Sequence, residues 1–315
     1  MVYLYAVLGL LILLLAGDAL VKGAVNLSLR VGIPALVVSL TIVAFGTSAP
    51  ELLISIKAAL ENAPGIALGN VVGSNTANVL LVLGVPGLIT VMHTSQCDTR
   101  SSYLQMIGGT LVFIALGFRG VFDWTAGLIL LTLLILILGS QLRTALRHRA
   151  EGQADEELEE PEGADPDMPW WRIGLYLALG LIGLPLGADL LVDSAEEIAR
   201  MFGVPDAVIG LTLVALGTSL PELATTVMAA IRQQADVAIG NVIGSNLFNL
   251  LAIIGVASLI APIQVGPGFL QFDFWVMLGA SLLLLPFVFF GRDLGRIWGI
   301  VLSALYLGYV TVVLL

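Results

Sequence analysis

The chain contains the same unit twice. A shift of 171 residues lays Leu40–Ile89 on Leu211–Ile260 without a gap, and 25 of those 50 positions are identical. The same shift pairs Asp18 with Asp189, and "GIP" at Gly32 with "GVP" at Gly203. A duplication this regular restricts the fold, because each element of the first half needs a counterpart in the second.

Hydropathy says what the unit is made of. Of 315 residues, 58% are apolar and 11% charged, and the mean hydropathy is +1.01. A soluble domain is about 25% charged. Apolar runs near the ~20 residues that cross a bilayer recur along the chain. They cover 3–29, 34–60, 66–90, 103–118, 121–142, 170–195, 205–230, 237–262, 271–290 and 294–314. The expected fold is an all-α membrane protein of ten transmembrane helices. The first run, "MVYLYAVLGLLILLLAG", lacks the basic region of a signal peptide and reads as a span.

The net charge of −10 does not describe the membrane part. Residues 151–167 hold nine of the 23 acidic side chains and no basic one. By composition they form a solvated linker, and they lack the ligand spacing of an EF-hand. The domain reading is therefore a five-helix repeat over 1–143, an acidic hydrophilic loop over 144–169 and a second repeat over 170–315.

Five is odd, so the second copy enters the membrane from the opposite side. With the N-terminus outside, the cytoplasmic loops hold ten basic residues and the other side holds only Lys57, Arg119 and Arg200. That asymmetry fits the positive-inside rule with both termini outside and the acidic loop cytoplasmic. Inverted repeats with interrupted helices in matching positions point to a secondary transporter with its site at the midplane.

The interruptions are "GTSAPE" (Gly46–Glu51) and "GTSLPE" (Gly217–Glu222). Pro50 and Pro221 break a helix, and the break is expected to free carbonyls around Ala44 and Phe45. Thr47, Ser48 and Glu51 then gather on one face, as do Thr218, Ser219 and Glu222. The next span repeats "GNVVGSNTAN" as "GNVIGSNLFN", so Ser74 and Asn78 match Ser245 and Asn249. Gly69, Gly73, Gly240 and Gly244 have the small-residue spacing that lets helices approach. A carboxylate at the bilayer centre costs roughly 2.5–3.5 kcal/mol. Two of them at matching positions are poorly explained as structure, and Glu51 and Glu222 read as an ion site. Every candidate ligand is an oxygen, which suits Ca²⁺, Na⁺ or Mg²⁺ and not zinc or copper.

Other polar residues have plainer readings. Single hydroxyls in membrane helices bond back to their own helix, and Asn75 and Asn246 read equally as helix glue. Asp18 and Asp189 read as caps or cross-helix bonds near the membrane boundary. His93 and His148 fall in loops, Lys57 snorkels, and Cys97 is a lone bystander thiol.

At these motifs the chain resembles the calcium:cation antiporter superfamily, and within it the prokaryotic sodium/calcium exchangers. The resemblance implies Glu51, Glu222, Thr47 and Thr218 as calcium ligands. It implies the carbonyls of Ala44 and Ala215, with Ser48, Ser74, Ser219, Ser245 and both glutamates, as sodium ligands. Asn78 and Asn249 complete the centre as a polar pair. The first and sixth helices are implied to slide together across the site. Asn249 stands where the potassium-dependent branch carries Asp, which argues against potassium co-transport. "GNVVGSN" lacks the extra carboxylate of the proton/calcium branch, which favours sodium.

The expected function is antiport of Ca²⁺ against Na⁺ by alternating access in a prokaryotic inner membrane. Its partners are those two ions and lipid, with no cofactor, nucleic acid or obligate protein partner. The alternatives are a proton/calcium antiporter and, further off, a cation channel. An intramembrane hydrolase lacks any nucleophile–base pairing in the sequence.

Overall fold

The computed structural model describes residues 1–150, 165–203 and 215–314. Eleven helical segments carry the fold: α1 (Val2–Val31), α2 (Ala35–Thr47), α3 (Ala49–Leu60), α4 (Pro64–Ile89), α5 (Arg100–Gly117), α6 (Trp124–Ala150), α7 (Trp170–Met201), α8 (Leu220–Ile231), α9 (Ala235–Ile260), α10 (Phe269–Phe289) and α11 (Arg296–Leu314). A short helix, Ala215–Gly217, precedes α8.

Among the described residues, seven helices are long and apolar enough to cross a membrane, or eight with α2 and α3 counted as one bent span. Two of the ten expected spans fall outside that number. The run 103–118 is the 18-residue α5, which begins on Arg100, Ser101 and Ser102 and is less apolar than its neighbours. The run 205–230 is observed only from 215 onward, as the short helix and α8; residues 204–214 lie outside the described residues, as does 151–164 of the acidic segment.

The apolar residues sort into two clusters. The larger spreads over α2–α6 and α8–α11, around Leu68, Val71, Phe113, Leu130, Val242 and Phe274. The smaller belongs mainly to α1 and α7, through Leu13, Ala16, Leu20, Leu184 and Ala188. These two long helices pack on each other along their length. Small residues permit it: a Cβ at Gly9 would lie 2.7 Å from the Leu191 nitrogen, and one at Gly180 2.5 Å from Leu20 Cβ. Early residues of α1 meet late residues of α7, so the pair runs antiparallel. Their outer faces expose Leu4, Leu8, Leu11 and Leu15, and Leu175, Leu179, Ile182 and Leu186, an apolar stripe suited to lipid.

The connections gather at two faces. On one, Val121–Phe122 pairs antiparallel with Ile263–Gln264. On the other, Met92 bridges Leu294, Thr94 Oγ1 donates to the Arg292 carbonyl (2.8 Å), and Gln233 Nε2 donates to Thr90 Oγ1 (3.1 Å). Each of these links joins a residue of the first half to one of the second.

Candidate ion-binding site

The broken helices form as their sequences dictate. Pro50 has no N–H to offer the Gly46 carbonyl, so α2 ends at Thr47 and α3 restarts at Ala49, at an angle of 47°. Ser48 sits at the corner with φ −85° and ψ 5°. Ser219 repeats that conformation, at −89° and 3°, ahead of α8 and Pro221. Glu51 and Glu222 thereby fall in the first turns of α3 and α8, where helix N–H groups favour an anion. The expected freeing of the Ala44 carbonyl does not occur. Helical geometry persists to Thr47, and that carbonyl accepts the Ser48 N–H (3.0 Å) and faces Thr47 Oγ1 at 3.2 Å.

α9 packs directly on α2. A Cβ at Gly244 would lie 2.6 Å from the Leu40 carbonyl, and Ser39 Oγ donates to the Val237 carbonyl (2.7 Å). The stretch that would face Gly69 and Gly73 by the same relation is 207–215, mostly outside the described residues.

This packing brings the two motifs together. Glu51 and Glu222 are both fully buried, at 0% exposure. Ser48 Oγ donates to Glu222 Oε1 across the halves (3.1 Å). Thr47 Oγ1 lies 3.4 Å from Asn241 Oδ1 and 3.5 Å from Ser245 Oγ. Asn78 Nδ2 donates to Asn246 Oδ1 (3.1 Å), so the bond of Asn78 runs to Asn246 and not to Asn249. Ser74 and Ser219 are buried, Thr218 is half-buried at the second break, and Ala215 opens the short helix before it.

Several of these buried atoms have no hydrogen-bond partner among the described residues. They are both Glu51 oxygens, Glu222 Oε2, Ser219 Oγ, Asn78 Oδ1, Asn75 Oδ1 and both amide atoms of Asn249. No Lys, Arg or His there forms an ion pair with either glutamate. Leaving a carboxylate buried and unpaired is costly. A cluster of unpaired oxygens around two carboxylates is what a hard cation would satisfy. No group of three or more His, Cys, Asp or Glu side chains suited to a metal occurs among the described residues. The donor set is therefore two carboxylates with hydroxyls and amides.

Sequence reasoning missed the residues that hold the carboxylate helices in place. Asn70 Nδ2 donates to the Glu51 carbonyl (3.0 Å) and to Ser55 Oγ (2.9 Å). Asn241, 171 positions later, does the same to the Glu222 carbonyl (3.3 Å) and Thr226 Oγ1 (3.0 Å). Their signal was the repeated "GN" that opens each second motif. Also missed were the wide π turns at Asn78–Val82 and Phe248–Ile253, which contain the central asparagines Asn78 and Asn249.

The remaining candidates lie elsewhere. Asp18 forms ion pairs with Lys22 (3.0 Å) and with Arg232 at the end of α8. His93 Nδ1 sits 3.0 Å from Asp293 Oδ2, so it is pinned and not merely solvated. Lys57 is exposed, and the side chain of His148 lies outside the described residues. Burial, with Asp236 beside it, pushes the Cys97 thiol well up.

Comparison with known proteins agrees with this geometry. The model of the sodium/calcium exchanger protein family matches residues 1–143 and 173–315. The chain belongs to that family. It is similar to the putative antiporter CaxA of Alkalimonas amylolytica, with 34% identity over 97% of this chain and 96% of that protein. It is equally similar to the sodium/calcium exchanger MaX1 of Methanosarcina acetivorans, with 34% identity over 98% and 97%. A structure of the sodium-calcium exchanger NCX_Mj, soaked with 2.5 mM Na⁺ and 1 mM Sr²⁺, superposes with a TM-score of 0.83 at 32% identity, covering 98% of this chain and 97% of that one. As a family member the chain is a membrane transporter of the antiport kind, and its relatives are exchangers, not enzymes.

Proposed function

We propose that the protein exchanges Ca²⁺ for Na⁺ by alternating access, with both ions bound between the two broken helices. One observation carries this reading: two fully buried carboxylates, three of whose four oxygens lack partners, ringed by hydroxyls and amides from both halves. Two negative charges match one Ca²⁺, and its six to eight oxygens can be drawn from flexible side chains. Glu51, Glu222, Thr47 and Thr218 are the proposed calcium ligands. The carbonyls of Ala44 and Ala215, with Ser48, Ser74, Ser219, Ser245 and the glutamates, are the proposed sodium ligands; Asn78 and Asn249 line the centre. For the Ala44 carbonyl to take a sodium ion, the Thr47 hydroxyl must turn away from it.

The proposed architecture is ten spans in two inverted five-helix repeats, 1–143 and 170–315, joined by the acidic segment 144–169, of which 144–150 continues α6. The antiparallel packing of α1 on α7 supports it, as does the sorting of connections to two faces. The charge bias of the loops supports termini outside and the acidic loop in the cytoplasm of a prokaryotic inner membrane. Sodium coupling is favoured because the motif at Gly69–Asn75 adds no carboxylate.

The test is calcium uptake into sodium-loaded proteoliposomes diluted into sodium-free medium. Uptake must require internal sodium and vanish in Glu222→Gln. Uptake driven equally by a proton gradient would move the protein to proton coupling, and conduction without any counter-ion would make it a channel.

A further inference from the structure

Asp18 and Asp189 occupy matching positions, yet their surroundings differ in sign. Asp18 lies on α1 where that helix crosses α8. A Cβ at Gly17 would meet the Ala224 carbonyl at 3.0 Å and Met228 Cγ at 3.3 Å. One residue on, Asp18 pairs with Arg232, which terminates α8, and with Lys22. The Asp18 and Arg232 side chains are only 18% and 20% exposed, so solvent screens the pair less than it screens a surface bridge.

The 171-residue shift maps Asp18 to Asp189, Lys22 to Asp193 and Arg232 to Glu61. One half has a carboxylate between two cations; the other has three carboxylates. Packing differs in the same sense. α1 lies closely on α8, whereas α7 makes no comparable contact with α3, and Glu61 faces Lys57 at 4.0 Å. α1 and α7 supply most of the smaller apolar cluster and pack along their length, which suits them to act as one body.

We infer that Asp18 and Arg232 form a clasp that positions α1 on α8 and holds that face of the transporter shut. The inference rests on the transport reading above. Charge attraction favours closing α1 on α8. The opposite movement, α7 closing on α3, brings Asp189 and Asp193 towards Glu61 and is opposed by like charge. The shut face is the one bearing Thr90, Gln233 and Leu294. The clasp thus sets the resting balance between the two access states without touching an ion.

The experiment uses a Cys97→Ser background with Met228→Cys as reporter beneath α1. Maleimide labelling is measured in ion-free detergent. Arg232→Gln is expected to raise the labelling rate by up to about fivefold. Arg232→Lys, and the swap Asp18→Arg with Arg232→Asp, should bring it back near the parent. In proteoliposomes Arg232→Gln should raise the KM for calcium on the far side while retaining kcat; loss of kcat alone would mark a merely structural role. Unchanged labelling in Arg232→Gln, or an equal rise in the charge swap, overturns the clasp. Misfolding is detected separately by gel filtration, with Arg232→Lys as the folded control. Labelling needs no transport, so failure of sodium-driven uptake in the unaltered chain overturns the exchange reading alone.

Discussion

Glu51→Gln separates a calcium site from a structural carboxylate quantitatively. Glu51 is fully buried and neither of its oxygens has a partner. At ~4 Å and an effective dielectric near 20, a carboxylate attracts a cation by about 4 kcal/mol per unit charge. That is about 8 kcal/mol for Ca²⁺ and about 4 for Na⁺. Glutamine keeps one oxygen and returns on the order of 1.5 kcal/mol to Na⁺ and twice that to the doubly charged Ca²⁺ as a charge–dipole contact. The net loss is about 5 kcal/mol for Ca²⁺ and about 2.5 for Na⁺, or more than a thousandfold against roughly 70-fold in affinity. Isothermal titration of the purified variant with each ion measures both. The melting temperature in ion-free buffer should not fall, because the substitution removes an uncompensated buried charge. Equal losses for the two ions, or a calcium loss below tenfold, would refute the charge argument. A large drop in ion-free stability would show that Glu51 is a structural group.

Three further outcomes follow from the geometry. Asn241→Leu deletes the bonds to the Glu222 carbonyl and Thr226; it should weaken calcium binding and lower stability by about 1–3 kcal/mol, read by titration and thermal melting. Gly244→Val inserts a side chain where a Cβ would already lie 2.6 Å from the Leu40 carbonyl. It should cost about 1–3 kcal/mol of stability and displace Thr47, seen as reduced uptake per folded molecule. Cys97, its thiol pushed up by burial and by Asp236, should label slowly with maleimide at neutral pH, and labelling should leave calcium uptake unchanged.

The centre of the site was legible because a carboxylate and a proline within a long apolar run have few innocent explanations. The pairing of the halves was legible from the fixed offset alone. What could not be read were relations set by how helices cross. The sequence pairs Asn78 with its repeat counterpart Asn249, whereas the crossing of α4 and α9 sets Asn78 against Asn246. The Ala44 carbonyl keeps its helical bond because the break comes only after Thr47, later in the chain than the expected freeing of Ala44 requires. Asp18 and Asp189 looked equivalent because the duplication is visible at the aspartates and hidden at their partners, where Arg232 stands against Glu61. The helix α5 has the length and apolar core of a span, but its first turn is polar.

The cover that α9 gives to α2 has a consequence for synthesis. Ser39 bonds to Val237, and Thr47 lies beside Ser245, each across 198 residues of chain. At about 5–20 residues per second, that separation is roughly 10–40 s of translation. Through that interval the emerging first half holds Glu51, Thr47 and Ser39 without their final neighbours. The nascent chain must meanwhile shelter these groups in the insertion machinery, in water or against its own helices. Its most vulnerable moment comes before the second half is made.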